Sequence, residues 1–229
     1  MISLRGLLLI PQKYKEARNV LLMFAVLMRH GLIPNLHDRG NNSRFNSRDA
    51  TWFFMESLQE YVKHDKEQGV SIFNEKLEMQ FLDSNQGEHC KKLAAAQKNV
   101  MPFSDIIQTI MQCHANGIDF VEWNAGPKID ANMTQEGFHV MIKLDPKTGF
   151  IFGGNKFNCG TWMDKLGSSD KAKNKGVPAT PRDGADVELI GLLRSAVRFL
   201  AKAYEDGIYP YEGVQLPDNQ GALTYKQWV

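Results

Sequence analysis

The string Asn158-Cys159-Gly160-Thr161-Trp162-Met163-Asp164-Lys165 sets an indole two residues before a carboxylate. Thr180-Pro181-Arg182-Asp183-Gly184 and Glu188 follow, adding a guanidinium and a second carboxylate. A flat aromatic suits the apolar CH face of a sugar ring, and carboxylates with Arg forks suit its fringe of hydroxyls. Cleaving a glycosidic bond needs one carboxylic acid to protonate the leaving oxygen. A second carboxylate must then activate water or attack carbon. Asp164 and Glu188 are of the right type for such a pair. Glu188 reads equally well as a first-turn helix acid, and Asp164 as a loop cap. Residue types alone leave both readings open.

Arg48-Asp49, just before an apolar segment, is a second signal. A guanidinium beside a carboxylate can fork two neighbouring hydroxyls of a terminal glucose. An aspartate in the first turn of a helix is also explained by the helix dipole, and spacing alone favours that plainer account. Trp52, at helical spacing, reads as core, whereas Trp162 lies in a loop beside Gly160 and Thr161 and reads as part of a site. Other constellations fail. His89-Cys90 and Cys113-His114 are adjacent pairs that cannot face one another on a helix, so no metal site is expected. No phosphate-cradling glycine-lysine run exists, and no cofactor is expected. Lys165, Lys171, Lys173 and Lys175 read as a solvated loop.

These residues must be held by the elements around them. A helix is predicted from about Lys13 to His30, with Tyr14, Ala17, Leu21, Phe24 and Met28 on one face. A second begins near Ser47 and is apolar nearly all round through Val62, so it should be buried on most sides. A third runs from Ser104 to His114 and ends at Gly117. A fourth runs from about Asp186 to Asp206, striped by Ile190, Leu193, Val197, Leu200 and Tyr204. Between the third and fourth, Phe138–Leu144 and Phe150–Phe152 read as a hairpin around Asp145–Gly149. Residues 63–100 are polar with weak periodicity and read as a divergent peripheral segment. Helices therefore dominate, the expected class is mainly α, and chemistry belongs in the loops where helices start.

Composition bounds the alternatives. The 229 residues hold 43% apolar and 23% charged side chains, an ordinary globular mix large enough for a core. A formal net charge of +1 argues against a nucleic-acid partner. No apolar run approaches the roughly 18 to 20 residues that span a bilayer, so no membrane association is expected. Leu7–Ile10 is too short for a signal peptide. Three cysteines form an odd, sparse set that fits reduced thiols better than a disulfide framework.

Five ordered strings carry a resemblance. They are Arg29–Asn35, Asn46–Ala50, Asn124–Asp130, Gly153–Lys165 and Pro178–Gly184. Together they resemble the C-terminal amylo-1,6-glucosidase region of eukaryotic glycogen debranching enzymes, over nearly the whole chain except about Val62 to Asn99. The resemblance implies an incomplete (α/α)6 toroid, with a β-hairpin and long loops at its cleft end. It implies inverting hydrolysis of the α-1,6-linked glucose at a glycogen branch stub, in the cytosol. Glycogen or a branched limit dextrin would be the partner. It makes Asp164 the general acid and Asp130 the competing acid. Arg48 and Asp49 would hold the terminal glucose, with Trp162, Arg182 and Glu188 lining the cleft. It also implies a second carboxylate beyond Val229, hence no turnover by this chain alone. The alternative expectation is a non-catalytic glycogen-binding module that keeps the sugar-lining residues.

Overall fold

The computed structural model describes residues 1–38, 42–80, 100–122, 134–158, 160–162 and 165–229. A π-helical turn at Arg5–Leu9 leads into α1 (Tyr14–Val26), which buries Ala17, Leu21 and Ala25. The short antiparallel pair β1 (Leu36–Asp38) and β2 (Asn42–Arg44) then leads to α2 (Ala50–His64). A 3-10 turn, Gly69–Asn74, precedes β3 (Lys76–Glu78), which pairs with β4 (Val100–Pro102). Next come α3 (Phe103–Asn116) and β5 (Ile118–Val121), followed by β6 (His139–Leu144) and β7 (Ile151–Gly153). The chain then forms α4 (Val187–Glu205), the pair β8 (Gly213–Gln215) and β9 (Ala222–Thr224), and α5 (Tyr225–Trp228).

The expected mainly-α toroid is not what the chain forms. Of the described residues, 42% are helical and 20% lie in strands or bridges. The strands make four small antiparallel sheets, one of three strands in the order β5-β6-β7 and three of two strands. The reason the sequence hid them is physical. Among the described residues, seven of the nine strands are three residues long, too short for a period-two pattern to stand out from a loop. The hairpin β6–β7 was legible all the same, because β6 runs for six residues. Leu144 faces Ile151 across the turn predicted at Asp145–Gly149.

Helix α3 is the axis of the packing. Twelve of its fourteen residues are buried, among them Ile106, Ile107, Ile110 and Met111. Several polar members of this buried helix are bonded, while Thr109 Oγ1 and His114 Nε2 have no hydrogen-bond partner. Gln108 accepts from the hydroxyls of Tyr209 (2.9 Å) and Tyr225 (2.7 Å) and donates to the Gly213 carbonyl (2.8 Å). Phe73 packs against Phe103 with ring centroids 6.1 Å apart and against Tyr209 at 5.7 Å. Ile72 and Phe73 are thus core residues within the stretch read as peripheral, while residues 81–99 lie outside the described set. Trp52 is fully buried, edge-on to His114 at 4.7 Å, as its helical spacing implied.

Candidate functional site at the head of helix α2

Three loops meet where α2 begins. The turn that closes the first helical segment is tied to α2 by the Ile33 amide, which donates to Thr51 Oγ1 at 3.0 Å. The loop after β7 is tied by the Arg48 amide, which donates to the Gly160 carbonyl at 2.8 Å. Asn158 is buried and donates to the carbonyls of Gly137 and His139, both at 3.2 Å, anchoring that loop on the start of β6. The third loop, 182–184, is stitched to the end of β7 by the reciprocal Gly153–Gly184 amide bonds of 3.1 and 2.8 Å.

Asp49 is the N-cap of α2, yet its carboxylate does not cap its own helix. One oxygen, Oδ1, accepts from the Ser47 hydroxyl. The other, Oδ2, accepts from the backbone N–H of Trp162 at 2.7 Å. A charged acceptor makes this bond stronger than an amide-to-amide one. Trp162 itself is half exposed, and its ring meets Phe53 edge-to-face at 6.3 Å. A cleft of about 350 Å³ opens here, lined in part by Phe24, Pro34, Asn35, Asp49, Phe53 and Trp162. That volume falls in the range of small-molecule sites, and the lining combines aromatic faces with polar groups.

Arg48 points the other way. Its side chain is 4% exposed, and it donates through Nη1 to the Gly184 carbonyl (3.2 Å) and through Nη2 to the Arg182 carbonyl and Asp186 Oδ2 (2.8 Å). Asp186 also lies 3.6 Å from Arg182 Nε, and Arg182 Nη2 is paired with Glu188 Oε1. Burial pushes the Asp186 carboxyl up and the Arg48 guanidinium down, each opposed by the other's charge. Gly154 lies against this network. With φ of +76°, an added Cβ there would stand 3.1 Å from Arg48 Nη2.

The comparisons with known proteins decide the family. The model of the family described as amylo-alpha-1,6-glucosidase matches residues 1–229. The chain is also similar to the glycogen debranching enzyme of Saccharomyces cerevisiae, 43% identical over 228 residues. This chain belongs to the amylo-alpha-1,6-glucosidase family. The match covers 99% of the chain and 15% of the yeast protein.

Within this family member, the structure brings some predicted residues together and separates others. Asp49 and Trp162 share the cleft and a direct bond. Arg48, Arg182 and Glu188 form one ion-pair network behind it, with the guanidinium of Arg48 spent on internal partners. Asp164 and Asp130 lie outside the described residues. Asp186 was missed, because an aspartate just before a helical stripe reads as an ordinary N-cap. Phe53 was missed as a cleft residue because α2 is apolar on nearly all faces. Among the described residues no cluster of metal-binding side chains is found, and no helix is long and apolar enough to cross a membrane. Cys90 and Cys159 lie outside the described residues.

Proposed function

We propose that this chain forms one wall of a glucosidase site that takes the α-1,6-linked glucose of a glycogen branch stub. The observation that carries the reading is the bond from Trp162 N to the buried carboxylate of Asp49 beside the 350 Å³ cleft. That bond holds the Trp162 backbone, and Phe53 meets the ring edge-on, which leaves the half-exposed indole to serve as a platform for the sugar's CH face. Asp49 keeps free lone pairs on both oxygens to accept sugar hydroxyls. Arg48, Arg182 and Glu188 support the binding surface from behind.

In this reading Asp164, two residues after Trp162, protonates the leaving oxygen, and Asp130 is the competing acid. A second carboxylate would activate the water that attacks the opposite face of the ring, which inverts the anomeric centre. Family membership and the yeast relative's name support glycogen or a branched limit dextrin as the substrate. The sparse, odd cysteine set fits work in the cytoplasm.

The test is calorimetric titration of the chain with a branched limit dextrin. The expected result is binding that free isomaltose competes away and that Trp162→Ala weakens at least about tenfold. Absence of any binding, or binding indifferent to Trp162→Ala, overturns the reading.

A further inference from the structure

Helix α4 begins at Asp186, whose backbone is extended, with φ of −65° and ψ of 130°, as an N-cap requires. An aspartate at that position ordinarily turns its carboxylate onto the first free N–H groups of its own helix. Asp186 makes no such bond. Its side chain is 8% exposed and faces two guanidinium groups instead, Arg48 at 2.8 Å and Arg182 at 3.6 Å. The helix therefore forgoes a favourable cap, and the carboxylate is committed to the loops.

The arrangement of the loops depends on it. Arg182 has φ of +53°, a left-handed conformation that L side chains other than Asn and Asp rarely adopt. Its carbonyl is held by Arg48 Nη2, and the Gly184 carbonyl by Arg48 Nη1. Such a conformation persists only where the surroundings over-determine it. Arg48 is also the residue whose amide holds Gly160, two residues before Trp162, and whose neighbour Asp49 holds the Trp162 amide. One buried carboxylate thus orients the guanidinium of Arg48, a residue whose side chain holds the 182–184 turn while its backbone N–H holds Gly160.

We propose that Asp186 is a positioning residue of the glucose site. Without touching the cleft, it holds Arg48 and Arg182 so that the turn carrying Arg182 and the loop carrying Trp162 share one frame. The proposal rests on the function given above, and the experiment separates the two. Affinity for a branched limit dextrin is measured for the wild-type chain and for Asp186→Asn and Asp186→Glu, with thermal unfolding of each in parallel.

The expected result for Asp186→Asn, which keeps shape and removes charge, is affinity about tenfold weaker with one cooperative unfolding transition retained. Asp186→Glu, which keeps the charge, should recover to within about threefold of wild type. In an Arg48→Met background, Asp186→Asn should add almost nothing further, because residues that act through one another are not additive. A merely structural role would lower the unfolding temperature and leave the affinity of the folded protein unchanged. Should Asp186→Asn not fold, Arg48→Lys carries the test. It keeps the charge but loses the fork that reaches two carbonyls and Asp186 together, and the same weakening is expected. Wild-type affinity in the variants that fold overturns the role of Asp186. Failure of the wild-type chain to bind overturns the glucosidase reading instead.

Discussion

Trp162 donates its backbone N–H to Asp49 Oδ2 at 2.7 Å across 113 positions of sequence. The contact makes the head of α2 and the loop after β7 a single surface. Asp49→Ala would leave the Trp162 amide without its charged acceptor in a place where Asp49 is only 3% exposed. Loss of such a bond should lower stability by about 1–3 kcal/mol, read from chemical denaturation. Binding of branched limit dextrin should fall further than that of Trp162→Ala, since both the platform and its holder change.

Arg48 and Asp186 form a buried ion pair, and removing one partner strands the other. Arg48→Met should cost about 3–5 kcal/mol of unfolding free energy. Arg48→Met combined with Asp186→Leu should be less destabilised than Arg48→Met alone, because no charge is left buried. Urea unfolding of the single and double variants checks the order.

Gly154 is the point at which backbone freedom matters most. Its φ of +76° and the 3.1 Å approach of Arg48 Nη2 both oppose a side chain. Gly154→Ala should destabilise the protein by about 1–2 kcal/mol. Differential scanning calorimetry reads the shift as a lower melting temperature.

His114 is fully buried against Trp52, and burial pushes its imidazole down from 6.5 to about 4, partly offset by its bond to the Ile110 carbonyl. The unfolded chain therefore binds the proton more tightly than the folded one. Stability is fully present above the ordinary histidine range and is lost as pH falls toward 4. Between about pH 7.5 and 5 the loss from this residue should be roughly 2 kcal/mol. The difference in unfolding free energy between wild type and His114→Phe, followed across that range, isolates it.

The helices were legible because each is long enough to repeat its stripe. Ala17 and Leu21 of α1, and Leu193, Val197 and Leu200 of α4, are buried as their spacing implied. The toroid was not, because the resemblance supplied it and the short strands gave no period to contradict it. Leu36–Asp38 pairs with Asn42–Arg44, and Gly213–Gln215 with Ala222–Thr224, through backbone groups that leave little trace in side-chain pattern. At the site, the bond that Asp49 makes to Trp162 was not legible. The sequence position of Asp49 read as a first-turn acid on the helix dipole, and only the folded loop shows its carboxylate turned to Trp162. Asp186 followed the same rule and escaped notice for the same reason. A carboxylate that abandons its own helix for a distant partner cannot be told from an ordinary cap by local spacing.

In the proposed function a sugar rests against the exposed ring of Trp162. Hydroxyl-radical footprinting with mass-spectrometric readout, with and without branched limit dextrin, measures that contact at the residue itself. Trp162 is 53% exposed, and Val187, at 84%, is the internal control at the start of α4. Protection of Trp162 by the dextrin, with Val187 labelled as before, is the predicted result. Equal labelling of Trp162 in the presence and absence of saturating dextrin would contradict it.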